Sequence, residues 1–238
     1  MKGKEVEYEF VKTFNNKTIN DLSLQQKAFI KELFPDINYL DKIISWKNKE
    51  AKKADIFIKV NNLTRGISIK SGNENSMHSE SISDFIVFLK KIDIPIEYIK
   101  TYQKYHFGYF NNKKYSAKEL KEIMKEELYS LNKLLNKPQN IIKAVDRYII
   151  HGIDTKYDIS ALITGLPNNF VWIKKENIYN LALNYNTSKY SAPHFGMLVI
   201  QPKQRDLNNT GKNKKECYRV QIKWHNLYEE IIDYYHKK

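Results

Sequence analysis

The 238-residue chain holds one cysteine, Cys217, so it can form no disulfide within itself and offers no Cys-based zinc site. That usage suits a reducing cytoplasm. No apolar run approaches the ~20 residues of a membrane span, and the N-terminus lacks the charged, apolar and cleavage-site pattern of a secretory leader. We therefore expect a cytoplasmic protein with no membrane partner. No G-x-x-x-x-G-K-[ST] or G-x-G-x-x-G stretch is present, which leaves ATP or dinucleotide use unsupported. The six histidines form no H-x-x-x-H pair, and a zinc site is not expected. Acidic residues are also scarce: 27 Asp and Glu face 40 Lys and Arg, a net charge of +13. A field of that sign attracts polyanions, nucleic acid first and acidic membrane surfaces second. A merely solvated basic surface, reflecting A·T-rich coding, is the competing explanation.

A hydrophobic fraction of 42% and an aromatic fraction of 13% are enough for a packed core. Val6, Phe10 and Phe14 predict a helix near the N-terminus, with Glu5 and Glu9 on an adjoining stripe. A second helix is expected from Asp21 or Ser23 to Phe34, and a short one at 40–46. Residues 54–70 read as a β-hairpin, 71–81 as a polar loop and 96–115 as irregular aromatic chain. Further helices are expected after Ser81 or Ser83, over 116–135, over 139–151 and over 175–184. Residues 160–165, 195–201 and 218–224 read as strands. With no repeat or linker in view, we expect one α/β domain over 1–238. It has a catalytic hairpin at 54–70, a helical insertion at about 84–151 and a C-terminal hairpin at 195–224.

The hairpin carries the most suggestive chemistry. Ile56, Ile58 and Val60 share one face of the first run, and Ile67 and Ile69 one face of the second. Asp55, Ser68 and Lys70 fall on the opposite face. Metal-dependent phosphodiester cleavage needs carboxylates to hold Mg2+ and a lysine to orient or activate water, and this face offers both residue types. An ordinary edge hairpin with a capping Asp and a solvated Lys is the plain alternative.

In that order of residues, Asp55…Ser68-Ile69-Lys70, the sequence resembles the PD-(D/E)XK nuclease superfamily. The resemblance implies a restriction-endonuclease-like core, a central mixed β-sheet flanked by helices. It gives Asp55 the role of metal ligand and Lys70 that of orienting the nucleophilic water. Position 68 departs from the pattern, since the family usually has Asp or Glu there and Ser68 is a poorer ligand. The family often draws an acid from the first helix, which points to Glu9 or else Glu5, with Glu74 and Glu80 as other candidates. The pair Pro35-Asp36 sits at a helix end and reads as a turn.

The C-terminal stretch strengthens the likeness. Phe195, Gly196, Ile200, Gln201, Lys203, Gln221 and Lys223 are similar to the closing region of small type II restriction endonucleases of the MspI kind. Arg219, Gln221 and Lys223 share one face of their strand, where Gln can pair with adenine and Arg or Lys with guanine. Lys203, Arg205, Lys212, Lys214 and Lys215 suit phosphate contacts. Asn75, Ser76 and His78, with Asn73, lie in the loop after Lys70 and are further DNA-binding candidates. His78 as a general base competes with a merely hydrogen-bonding histidine. Gln221-Ile222-Lys223 with Asp206 is a rival active site. Tyr102, Tyr105, Tyr109 and Tyr115 could stack on bases, though core packing also accounts for them. The expectation is thus a Mg2+-dependent type II restriction enzyme acting on double-stranded DNA, monomeric or homodimeric, beside a cognate methyltransferase. A structure-selective or repair nuclease, or a DNA-binding protein with a weakened site, remains open.

Overall fold

The computed structural model describes residues 3–50, 53–71, 75–111, 113–152, 158–186, 191–205 and 214–236, the last segment without the Lys214 side chain. Along the chain, α1 (Gly3–Phe14) buries Val6, Phe10 and Phe14, and a 3-10 turn spans Ile19–Asp21. α2 (Leu24–Leu33) starts at Ser23, whose hydroxyl and N–H exchange bonds with Gln26, and the chain leaves it at Phe34 before Pro35. The strands β1 (Ile43–Lys47), β2 (Ile56–Val60), β3 (Leu63–Lys70) and β4 (Ser76–Ser81) follow. Next come α3 (Ile82–Lys91), α4 (Ile96–Phe107) and the two-residue strands β5 (Tyr109–Phe110) and β6 (Lys113–Lys114). α5 (Ala117–Ile123), α6 (Lys125–Leu135) and α7 (Pro138–Val145) lead into a π-helical turn, Asp146–Ile150. The remainder is β7 (Ile159–Leu166), β8 (Asn169–Lys174), α8 (Lys175–Leu183), β9 (His194–Phe195) and β10 (Leu198–Pro202), then α9 (Lys214–Cys217), β11 (Arg219–Trp224) and α10 (Leu227–His236).

The chain divides into two compact units, one of Met1–Asn75, Ile149–Tyr179 and Asn226–Lys238, the other of Ser76–Tyr148 and Asn180–His225. The first is α/β, built on a five-stranded sheet ordered β1-β2-β3-β7-β8 and flanked by helices. β3 and β7 run parallel and the other neighbours antiparallel, so the sheet is mixed. Ile56, Ile58, Ile67, Ile69 and Ile163 pack with Phe10, Phe14, Phe29 and Phe170 in one core. The rings of Phe10 and Phe29 meet Phe170 edge-on at 5.4 and 5.6 Å. The second unit has a four-stranded antiparallel sheet, β4-β11-β10-β9, and its own aromatic core around Phe85, Phe88, Tyr102 and Phe195.

Several expectations are corrected. Residues 43–47 form a strand in place of a short helix at 40–46: Ile43 and Ser45 are buried while Ile44 and Trp46 are exposed, a period of two. Part of the supposed loop 71–81 is β4, which pairs with β11. The supposedly irregular 96–115 is largely α4, burying Ile99, Tyr102, Tyr105 and His106 and ending at Gly108 with φ 77°. The 116–135 helix breaks at Met124 into α5 and α6. β8 and α10 had no counterpart in the sequence reading.

His106 makes the second unit acid-sensitive. Its Nε2 donates to the Cys217 carbonyl at 2.9 Å, which leaves Nδ1 to accept from the Tyr102 hydroxyl at 3.1 Å. Burial, partly offset by the Cys217 carbonyl, brings its pKa from 6.5 to about 4. A pKa depressed on folding gives stability that is complete above 6.5 and lost as the pH falls toward about 4. The loss reaches about 1.4 kcal/mol per pH unit, roughly 3 kcal/mol in all. Urea midpoints across that window should fall for the wild type and flatten in His106→Gln.

Candidate active site

The geometry at the hairpin begins with the backbone. Asn61, with φ 53°, and Asn62 turn β2 into β3, and Ile56 pairs with Ile67. The Asp55 N–H donates to the Ile67 carbonyl at 2.8 Å, which pins Asp55 at the strand end. Its Oδ2 accepts the Ile69 N–H at 2.6 Å and the Ser68 hydroxyl at 3.2 Å. Ser68 is buried at 3% exposure and Lys70 is half-buried. Burial lifts the Asp55 pKa above the usual carboxylate range, and the Ile69 N–H and the Lys70 charge pull against it. A further carboxylate, Glu7, pushes the same way as burial.

Glu7 is the acid on α1 that acts on Asp55. Its carboxylate pairs with Lys47 of β1 at 2.6 Å and is 18% exposed. Glu9, the expected metal ligand, bonds Lys12 at 2.7 Å and is 42% exposed. Glu5 is also on an exposed stripe. Lys53 is a second residue that the sequence reading gave no role. Burial first, and then the Lys70 ammonium, bring its pKa down to about 7, with Asp55 opposing. Asp55, Ser68, Lys70, Glu7 and Lys53 therefore form one electrostatically coupled group. Among the described residues, no three acidic, histidine or cysteine side chains converge as a closed metal cage. Asp36 lies exposed in the turn after α2.

In the second unit, Arg219, Gln221 and Lys223 alternate with the fully buried Val220, Ile222 and Trp224. Gln201 stands opposite Gln221, and their side chains meet at 3.4 Å. Gln221 donates to the Ser76 hydroxyl at 3.1 Å, and Arg219 reaches the Ser79 carbonyl at 2.9 Å. Ser76, Gln201, Arg219, Gln221 and Lys223 thus share one polar face. Lys203 follows β10 and pairs with Glu216. Asn75 is half-buried just before β4.

His78 does not belong to that face. It pairs with Ile222 on the inner side of β4, 3.9 Å from Glu80 and with its ring tilted against that of Tyr148 at 5.4 Å. Once 76–81 is a strand, alternation sends His78 and Glu80 inward together. Glu80 is buried and held by Arg147 and by the Tyr148 hydroxyl at 2.8 Å. Tyr102 and Tyr105 are core residues, whereas Tyr109 is exposed. Asn73, Glu74, Asp206 and Lys212 lie outside the described residues, as does the Lys214 side chain.

No protein-family model and no curated protein sequence matches the chain. Its backbone is similar to that of the restriction endonuclease MspI solved in complex with its cognate DNA. The TM-score is 0.48 at 13% identity, over 91% of this chain and 87% of that one.

Proposed function

We propose that the chain is a Mg2+-dependent endodeoxyribonuclease of the type II restriction kind. The observation that carries this reading is the junction of Asp55, Ser68 and Lys70 on adjacent strands, with Asp55 anchored through Oδ2 alone. Its other oxygen accepts no hydrogen bond among the described residues, and it is available to a cation. Glu7 adds to the cost of ionising Asp55, a cost that a bound divalent ion relieves. Mg2+ commonly binds through one or two carboxylates, waters and substrate phosphate, so Asp55 and Glu7 are enough acids for it. When bound, the ion supplies positive charge to the phosphate and acidifies water. Lys70 holds the attacking water and the developing phosphate charge. Water oxygen bonds to phosphorus, one P–O ester bond breaks, and the departing oxygen takes up a proton.

The polar face with Gln201, Arg219, Gln221 and Lys223 reads base edges, with Ser76 supporting Gln221. Lys203 and Arg205 meet phosphates. A cognate methyltransferase protects the host sites. Ser68 in place of an acid favours a second reading, a DNA-binding protein with a weakened site. Incubating plasmid with Mg2+ or with EDTA separates them. Discrete fragments only with Mg2+ support restriction, structure-dependent cutting supports a repair nuclease, and binding without cutting supports the second reading.

Glu7 and Glu9 give a sharper check on the site. Glu7→Gln should raise the Mg2+ concentration for half-maximal cleavage about tenfold or more, within the cost of losing a ligand-orienting carboxylate. Glu9→Gln should match the wild type. A magnesium titration of the two variants decides, and the reverse order would return the role to Glu9.

A further inference from the structure

The second unit contains a pocket of about 600 Å³ that shares Gln201, Lys203 and Arg205 with the proposed DNA contacts. Gln201 on β10, and then Lys203 and Arg205 past its end, recur at alternate positions along one wall. Tyr105 of α4, Lys121 of α5 and His225 after β11 supply the others. The Arg205 guanidinium lies over the Tyr105 ring, 4.7 Å from its centroid, which sets the plane of its donor fork. Both Nη atoms are buried, and neither makes a hydrogen bond among the described residues. The Tyr105 hydroxyl supports the guanidinium electrostatically without supplying an acceptor in good geometry.

Buried donors left unused are costly and call for an explanation, and an absent ligand is one. The charge around them indicates its sign. The groups that act on Arg205 are the two tyrosines, Tyr105 and Tyr102, and no carboxylate is among them. Those that act on His225 are the cations Lys223 and Lys121. Lys203 spends part of its charge on Glu216. A planar fork with two parallel donors fits a tetrahedral oxyanion, and the volume leaves room for more than that group.

We infer that this pocket binds the phosphate of a nucleotide, with Arg205 as a two-pronged donor and Lys121 as the second cation. The inference deepens the DNA-binding reading only in one respect, the source of the phosphate, which is either a DNA strand or a free nucleotide. Arg205→Gln and Lys121→Gln test it. Lys121 is on the surface of a helix, so its variant remains informative if Arg205→Gln fails to fold.

Anisotropy of a short duplex in EDTA, over a salt series, should show affinity reduced about tenfold for all sequences alike. The slope of log K on log salt should shrink by about one. Thermal melts with a deoxynucleoside monophosphate and with inorganic phosphate form the second arm. A duplex effect assigns the phosphate to DNA, and nucleotide stabilisation lost in the variants with duplex affinity unaltered assigns it to a free nucleotide. If the wild type binds no duplex but is stabilised by nucleotide through Arg205, the pocket stands and the nuclease reading falls. Unchanged duplex affinity, salt slope and melting in the variants would overturn the inference.

Discussion

Asp55→Asn should abolish cleavage, by roughly 10²–10³-fold or more, while raising the thermal midpoint of the protein in metal-free buffer. The two effects have one cause. Burial and Glu7 hold the Asp55 pKa above its ordinary value, so the ionised carboxylate is strained in the folded state. A pKa raised on folding gives stability that is present below the unfolded value and lost as the pH rises through the folded one. The ionised form carries that loss, and a neutral amide removes it. The amide oxygen still accepts from the Ile69 N–H and the Ser68 hydroxyl, so the anchoring bonds survive. The third consequence concerns Mg2+. The wild type should gain stability with added ion by mass action, about 2.7 kcal/mol at a hundredfold excess over Kd. The variant should gain little. Melts with and without Mg2+, run beside a plasmid assay, read all three. Residual cutting near the wild-type rate, or equal stabilisation by Mg2+, would remove Asp55 from the site.

The hairpin was legible because its signals are local. Alternating isoleucines, an Asn-Asn turn and a polar opposite face all fall within 54–70, and β2 and β3 form there. Glu7 was legible too, from helical spacing. At about 100° per residue, Glu7 lies about 60° from the centre of the Val6, Phe10 and Phe14 stripe and Glu9 about 100° to its other side. The acid nearer the buried stripe is the one that reaches the sheet end. Other features depend on partners distant in the chain. Ser76–Ser81 is polar enough to pass for a loop and becomes a strand only because β11 pairs with it. His78 and Glu80 change face with that assignment. α4 was hidden by its rings: Tyr102 and Tyr105 have weak helix propensity, and packing against Phe85 and Arg205 overrides it. The coupling of Lys53 to Lys70 required knowing that its side chain folds inward at the end of β2.

The second large effect is expected at Glu80. Its carboxylate lies inside the second unit, 3% exposed, and accepts from Arg147 Nη2 and the Tyr148 hydroxyl. Arg147 also lies over the Phe88 ring at 5.0 Å, so it is fixed from both sides. Glu80→Ala leaves a partly buried cation without its anion, a change that costs up to about 3–5 kcal/mol. Glu80→Gln keeps an acceptor and should cost less, about 1–3 kcal/mol. A double variant, Glu80→Leu with Arg147→Met, removes both charges and should recover most of the loss, because desolvation of the pair offsets much of its attraction. Urea unfolding of the double beside its two singles, Glu80→Leu and Arg147→Met, closes a cycle that measures the coupling directly. A loss below about 1 kcal/mol in Glu80→Ala would mean that water already reaches Arg147. Glu80 faces inward from the strand whose Ser76 and Ser79 brace Gln221 and Arg219. The stability loss should therefore be accompanied by weaker and less sequence-selective DNA binding, because those side chains lose the fixed strand that orients them.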